Sequence, residues 1–283
     1  MPLESWIIIV FKSHTDTHGL KDFMPNFNLL PRACSLLLCL ISYGLAADDT
    51  PNTIKLAAED NWAPYAESSG IGLSHSLINS AFSRVGIEVD SIVVPYARAV
   101  VMAKKGIVDG VFNLVKEKST QDQFIFGKQA LFSATASFYQ NKQSPLNVES
   151  KWQLPQNTKV GIIDGYEYGD ELSELPNIQV IKLSNHNQLI NLLLLNRIDT
   201  AIMYDLVAEQ YIEQMRVSSE IGPTFVNHTG QVYLAFSKKN PEAEHLAEML
   251  DTGLSALKND GSYQQIMTST IETAHHFSDM LKP

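Results

Sequence analysis

The sequence predicts an α/β fold of two similar lobes, each a mostly parallel sheet flanked by helices, joined by two hinge strands. Three observations carry this. A pattern of strand, short loop, amphipathic helix, tight turn and strand occurs over residues 91–113 and again over 181–203. Strands and helices alternate along the chain, which implies parallel sheets with right-handed crossovers. A polar stretch with two prolines, 141–156, marks the passage into the second unit, and the chain returns to the first after Gly230. Two lobes make a cleft, and clefts between lobes are where small ligands bind.

The elements follow in order. Residues 53–58 alternate toward an extended strand. Over 74–85, Leu77, Ile78, Ala81, Phe82 and Val85 recur at helical spacing, and Gly86 just beyond is a helix-ending signal. Residues 88–94 read as a strand, 97–105 as a helix and 108–112 as a buried strand, followed by a strand over 133–140. In the second lobe, 159–163, 178–183 and 200–203 are strands, and 185–195 and 205–215 are helices. A strand over 231–237 and helices over 241–258 and from 261 onward complete the chain, with Pro241 in a first helical turn. The strands near 136–140 and 232–236 are expected to cross between the lobes. The first lobe is expected to comprise 47–141 and 230–283, and the second 142–229.

The N-terminus reads as an export signal. Arg32 precedes an apolar run over 33–42 and the small-x-small site Gly44-Leu45-Ala46, so cleavage is expected after Ala46. The run is too short to span a bilayer, which needs roughly 20 residues. Met24 is the expected start, with 1–23 an upstream extension. Both cysteines, Cys34 and Cys39, fall inside the signal, so the mature chain has neither disulfide nor thiol chemistry. Three basic and three acidic residues precede the cleavage site, so the net charge of −10 survives processing. Such a balance offers no footprint for nucleic acid or an anionic membrane. A soluble, periplasmic monomer is expected.

In open parallel sheets, ligands sit beyond the carboxyl ends of the strands. That rule selects Glu59, Trp62 and Tyr65 after the first strand. It selects Asn113, Val115, Lys118 and Thr120 after the buried strand of the first lobe. From the second lobe it selects Gly165, Tyr166 and Tyr168, then Tyr204 and Asp205. The aromatic residues suit stacking on an apolar body or a cation. Trp62 and Tyr65 equally suit lobe packing. Asp205 suits an ammonium partner, or equally a helix N-cap. Gly165 before a helix start would leave backbone N–H groups for a carboxylate. Asp109 and Asp199 follow tight turns and are expected to serve the turns.

Three segments carry a resemblance: Lys104-Lys-Gly106-Ile-Val-Asp109-Gly, Asn196-Arg-Ile-Asp199-Thr-Ala, and Leu254-Ser-Ala-Leu-Lys-Asn-Asp-Gly261-Ser-Tyr263-Gln-Gln-Ile266. They resemble the bacterial extracellular solute-binding proteins of family 3, the periplasmic receptors of polar amino acid ABC transporters, over about 53–270. The resemblance implies a type II periplasmic binding fold and a small polar, amino acid-like solute. It also implies a partner, an ABC permease or a periplasmic sensor, and no cofactor. It exposes departures as well. The family's Thr-x-x-Arg motif, whose Arg grips the ligand α-carboxylate, falls on Glu117 and Thr120. Arg98, Lys116 or Lys118 would have to substitute, and lysine lacks the planar fork. The family's Asp for the α-amino group falls on Tyr204, with Asp205 one position later. The early Gly-Phe-Asp pattern appears as Gly72-Leu-Ser74.

The expected function is capture of a solute, not catalysis. A dehydratase-like enzyme on the same fold would need a general acid, and Glu59, Glu117 and Glu167 are its candidates, provided burial raises their pKa. A third reading is a ligand-presenting component for a separate sensor. Glu272, His275, His276 and Asp279 lie at helical spacing, but no second ligand cluster supports a metal, and a solvated helix face is the expectation. Asn227-His-Thr229 fits a glycosylation sequon, which means nothing in a bacterial host. No phosphate loop, dinucleotide fingerprint, zinc-protease motif or nucleophile elbow is present.

Overall fold

One twisted sheet of nine strands runs through the molecule. The computed structural model describes residues 53–176 and 178–269. The expected export signal and the 272–279 helix face lie outside them. The first half of the sheet contains β1 (Thr53–Glu59), β4 (Glu88–Val94) and β5 (Gly110–Val115), in spatial order β4-β1-β5 and all parallel. A small hairpin of β2 (Asn61–Trp62) and β3 (Ala66–Glu67) follows β1. Helix α1 (Leu73–Ser83) leads to β4, and α2 (Tyr96–Lys105) joins β4 to β5. β5 is buried at every position, as a central strand covered on both faces must be. After β5 come the short helix α3 (Lys118–Gln121) and β6 (Phe124–Phe126), which pairs with the long return strand.

The second half repeats the plan. β8 (Thr158–Ile163), β9 (Ile178–Leu183) and β10 (Thr200–Tyr204) lie in the order β9-β8-β10, again parallel. Helix α4 (His186–Leu194) joins β9 to β10, and α5 (Asp205–Gln214) follows β10. Asn185 caps α4, its side chain accepting from the Gln188 amide at 2.9 Å. The two repeated sequence units are thus β4-α2-β5 and β9-α4-β10. Each closes with the same device. The Asp109 carboxylate accepts from the Lys55 amide at 2.8 Å, and the Asp199 carboxylate accepts from the Lys159 amide at 2.7 Å.

β7 (Phe132–Asn141) and β11 (Ile221–Ser237) connect the halves. They pair antiparallel along most of their length; β11 also pairs with β5, and β7 with β10. The first half is completed by α6 (Ala243–Asn259) and a further helix over 262–269. α6 packs against α1 so closely that a Cβ at Gly253 would stand 2.1 Å from the Ala81 carbonyl oxygen. No helix among the described residues is long and apolar enough to cross a membrane.

Several boundaries differ from expectation, three of them near the site or the return strand. The buried strand of the first half starts at Gly110, not Val108, because Asp109 is held in the turn by its bonds to Lys55. The strand also runs on to Val115, past the expected end at residue 112, so Asn113 lies inside it, at a left-handed φ of 62°. The strand expected from Gln231 starts at Ile221. Register shifts between Pro223 and His228 carry the strand past the proline, and Gly230 pairs with Ala134 in unbroken register. Pro241 precedes the Glu242 N-cap of α6 and is not in its first turn.

Candidate functional site

The carboxyl ends of β1, β5 and β10 converge on the loop that follows β8. Glu59, the last residue of β1, is 2% exposed. One carboxyl oxygen accepts from Asn113 Nδ2 at 2.9 Å and the other from the Tyr166 hydroxyl at 2.9 Å. Asn113 Oδ1 in turn accepts from Ser74 Oγ at 2.5 Å. Glu167 accepts from the Tyr96 hydroxyl at 2.6 Å, and its carbonyl accepts from the Tyr204 hydroxyl at 2.6 Å. A reciprocal pair results. Tyr96 of the first half bonds Glu167 of the second, and Tyr166 of the second bonds Glu59 of the first.

Burial sets the electrostatics. Desolvation pushes Glu59 up to about 8; Glu167 and Asp60 add to the rise, and the bonds from Asn113 and Tyr166 oppose it. Desolvation also pushes Glu167 up to about 8, against the bond from Tyr96, with Glu117 adding to the rise. Tyr96, Tyr166 and Tyr204 are raised well above the ordinary phenol range, first by burial and then by the surrounding carboxyls. At neutral pH the pair of carboxyls is held largely as the acid.

Aromatic rings wall this centre. Trp62 meets Tyr204 edge-on at 5.0 Å, and Tyr96 meets Tyr166 edge-on at 4.9 Å. Tyr168 stacks on Tyr204 at 5.8 Å. Tyr65 lies behind, stacked on Phe132 at 4.7 Å and tilted against Trp62 at 4.3 Å. Glu59, Trp62, Tyr96, Asn113, Tyr166, Glu167 and Tyr204 enclose a cavity of about 10 Å³, room for about one water. The indole Nε1 of Trp62 is buried without a hydrogen-bond partner. A larger groove of about 300 Å³ lies on the other side of Glu167, between α2, α3 and Gly165.

The remaining residues selected from the sequence lie around this centre. Thr120 is buried in a reciprocal cap of α3; its hydroxyl donates to the Val115 carbonyl at 2.8 Å and accepts from the Glu117 amide at 3.0 Å. No loop geometry restores a cation at this position. Arg98 and Lys118 are exposed, and Lys116 is exposed with its ammonium 5.6 Å from the Phe126 ring. Among the described residues, no basic side chain lines the small cavity. Gly165 sits in a turn at φ 88° and not at a helix start, and a Cβ there would lie 3.4 Å from the Ala97 side chain across the cleft. The amide that does hold a carboxylate is Gly169, 2.7 Å from Glu117 Oε1. Asp205 opens α5 after the N-cap Tyr204 and accepts from the Tyr139 hydroxyl at 3.1 Å, outside the cavity wall. Burial raises its pKa.

Tyr96 was not among the residues selected from the sequence. It follows Pro95 directly after β4, so the strand-end rule applied to every strand, not to four, would have found it. Tyr211 of α5, which hydrogen-bonds Asn61 across the cleft, carries no local signal at all. Among the described residues, no group of three or more His, Cys, Asp or Glu is arranged to hold a metal ion.

A model of the bacterial extracellular solute-binding proteins, family 3, matches residues 54–272. Among curated proteins, none matches the sequence. Solved structures share the fold at low identity. An amino acid ABC transporter substrate-binding protein, AbpA from Streptococcus pneumoniae, bound to L-arginine, superimposes with a TM-score of 0.67 at 17% identity, covering 81% of this chain and 99% of its own. An ancestral arginine-binding protein bound to arginine gives 0.66 at 20%, covering 77% and 97%. The ancestral amino acid-binding protein AncCDT-1, a precursor of cyclohexadienyl dehydratase, gives 0.63 at 16%, covering 77% and 94%.

Proposed function

The chain belongs to family 3 of the bacterial extracellular solute-binding proteins, and we propose that it is a periplasmic receptor that closes on a small polar solute and delivers it to an ABC-type permease. The lobes proposed are 47–141 with 230–283, and 142–229. The observation that carries this reading is the reciprocal pair of Tyr–Glu bonds between the lobes. Groups that meet only when the cleft is shut are the groups a ligand can bridge, so a solute contacting both sides stabilises the closed form. Among the described residues, β7 and β11 are the only long strands shared between the halves and are the natural hinge.

A thermal-shift screen of the purified protein against amino acids, amines, small carboxylates and short peptides tests this. A solute at 100 times its Kd stabilises by about 2.7 kcal/mol, a rise of about 5–11 °C in melting temperature for a domain this size. The solute should be recovered unchanged, and the radius of gyration should fall on binding. Conversion of the solute would sink the receptor reading and favour a second one, an acid-catalysed elimination. That reading has its own support, because Glu59 and Glu167 hold protons near neutral pH, as a general acid must.

A further inference from the structure

We propose that the solute is an amine: a monocation whose head carries N–H donors, with an uncharged body and no carboxylate. This rests on the receptor reading and narrows it. The head would sit between Glu59 and Glu167, against the faces of Trp62, Tyr166 and Tyr204. The body would extend into the groove beyond Glu167.

The charge around the centre decides against an amino acid. Two carboxyls line the cavity, Asp60 and Glu117 act on them from nearby, and no cation answers them. An α-carboxylate entering here would meet no guanidinium, since Thr120 is bonded back onto Val115 and Glu117, and any ionisation of the two carboxyls would set like charge against it. An ammonium meets acceptors and aromatic faces at once. A neutral polyol could hydrogen-bond the same carboxyls, but only a cation offsets the cost of ionising them in a buried site. The groove sets the body. Its wall mixes apolar Ala97, Val100 and Phe124 with polar Ser119 and Gln123 and with Lys104, so a second positive charge is disfavoured there.

Opening along β7 and β11 would part the Tyr96–Glu167 and Tyr166–Glu59 bonds, and the head would take the place of the two phenol donors. The amine keeps its proton, while Glu59 and Glu167 release theirs to solvent as the cation enters. Affinity should therefore rise with pH. The titratable and charged groups facing the two carboxyls are Asp60, Tyr96, Glu117, Tyr166, Tyr168 and Tyr204. Burial holds the four tyrosines neutral below pH 9, so they do not reverse the trend.

Titration calorimetry of the purified protein with tyramine against L-tyrosine, and phenethylamine against L-phenylalanine, tests the inference at pH 6 and pH 8. Each amine should bind at least 100-fold tighter than its parent amino acid. Binding should be at least about fiftyfold tighter at pH 8, the factor that ionising even one group near 8 gives over that range, with proton release visible as a dependence of the heat on buffer ionisation enthalpy. Glu167→Gln should weaken the amine at least tenfold while keeping the wild-type circular dichroism spectrum. An amino acid that binds as tightly as its amine overturns the inference. So does a protein that ignores both amines yet is stabilised by another solute in the wider screen, an outcome that leaves the receptor reading standing. A protein that binds nothing in either experiment overturns both.

Discussion

In the first half of the sheet, β1 is followed by a hairpin and the eleven-residue helix α1; in the second, β8 is followed by an irregular run, 164–169, and a single 3-10 turn at Asp170–Glu174. The strands β1, β4 and β5 of the first half repeat as β8, β9 and β10 in the second. The difference decides where the cleft's chemistry comes from. In the first half, helix α1 covers the core, and the cleft groups stand on strand ends or a helix start: Glu59 on β1, Asn113 in β5 and Tyr96 opening α2. In the second half the chain has no helix to build after β8, so it folds inward and delivers Tyr166, Glu167, Tyr168 and the Gly169 amide together. The exchange is nonetheless balanced, one acid and one phenol from each side. A rigid face and a loop-borne face thus meet as equals.

The largest test of that balance is pH. Both carboxyls sit near 8 in the folded protein, against an ordinary 4.5. Between those values the unfolded chain is ionised while the folded chain keeps its protons, so stability should fall as pH rises from about 4.5 to 8. Glu59→Gln and Glu167→Gln remove the titration. Each variant should be more stable than wild type by about 2–4 kcal/mol at pH 8 and nearly equal to it at pH 5. The full shift would give more, but parting of the lobes lets water reach the carboxyls and limits the penalty. Urea unfolding at the two pH values measures this; a difference of the same size at both would refute buried titration as the cause. Equal gains from the two variants would show that the loop-borne acid is as firmly desolvated as the strand-borne one.

Smaller effects should come from the phenols. Tyr96→Phe and Tyr166→Phe each delete one donor across the cleft and leave the ring packing, at about 1–2 kcal/mol. The double variant should also scatter as a more open particle at neutral pH, with a larger radius of gyration than wild type. If Tyr96→Phe alone opened the cleft, the pairing would be reciprocal in geometry but not in energy.

Much of this design was legible in the sequence, and the illegible part has physical reasons. The repeat over 91–113 and 181–203 is carried by helical spacing and by Asp109 and Asp199 at matching turns, local signals that mark a strand–helix–strand unit in each half; the spatial strand order came from the structure. Strand ends pointed to Glu59, Trp62, Asn113, Tyr166 and Tyr204, all of which line the cavity. Which of their neighbours turn inward was not readable, because it depends on the loop path after β8. Lys118 and Glu117 are neighbours, yet the first is exposed and the second reaches Gly169 across the cleft. Nor could spacing show that Thr120 would be consumed by its own cap, or that β11 would run past Pro223 by shifting register and through Gly230 without a break.

The turn aspartates offer the finest comparison, because the two halves use them alike and differ by one bond. Asp199 holds only the Lys159 amide with its side chain, whereas Asp109 holds the Lys55 amide and also accepts from Asn240 Nδ2 at 2.9 Å. Both sites are near solvent, so the bond to each strand is worth about 1 kcal/mol, and the second bond at Asp109 about as much again. Asp199→Ala should therefore cost about 1 kcal/mol and Asp109→Ala about 2 in urea unfolding. The extra bond ties the first repeated unit to the segment that follows β11, so it also predicts where the loss is felt. Hydrogen exchange in Asp109→Ala should quicken at Lys55 and around Asn240 together, and in Asp199→Ala at Lys159 alone. Equal costs in the two variants would mean that the Asn240 bond carries no stability, and that the halves differ only in the loop after their first strand.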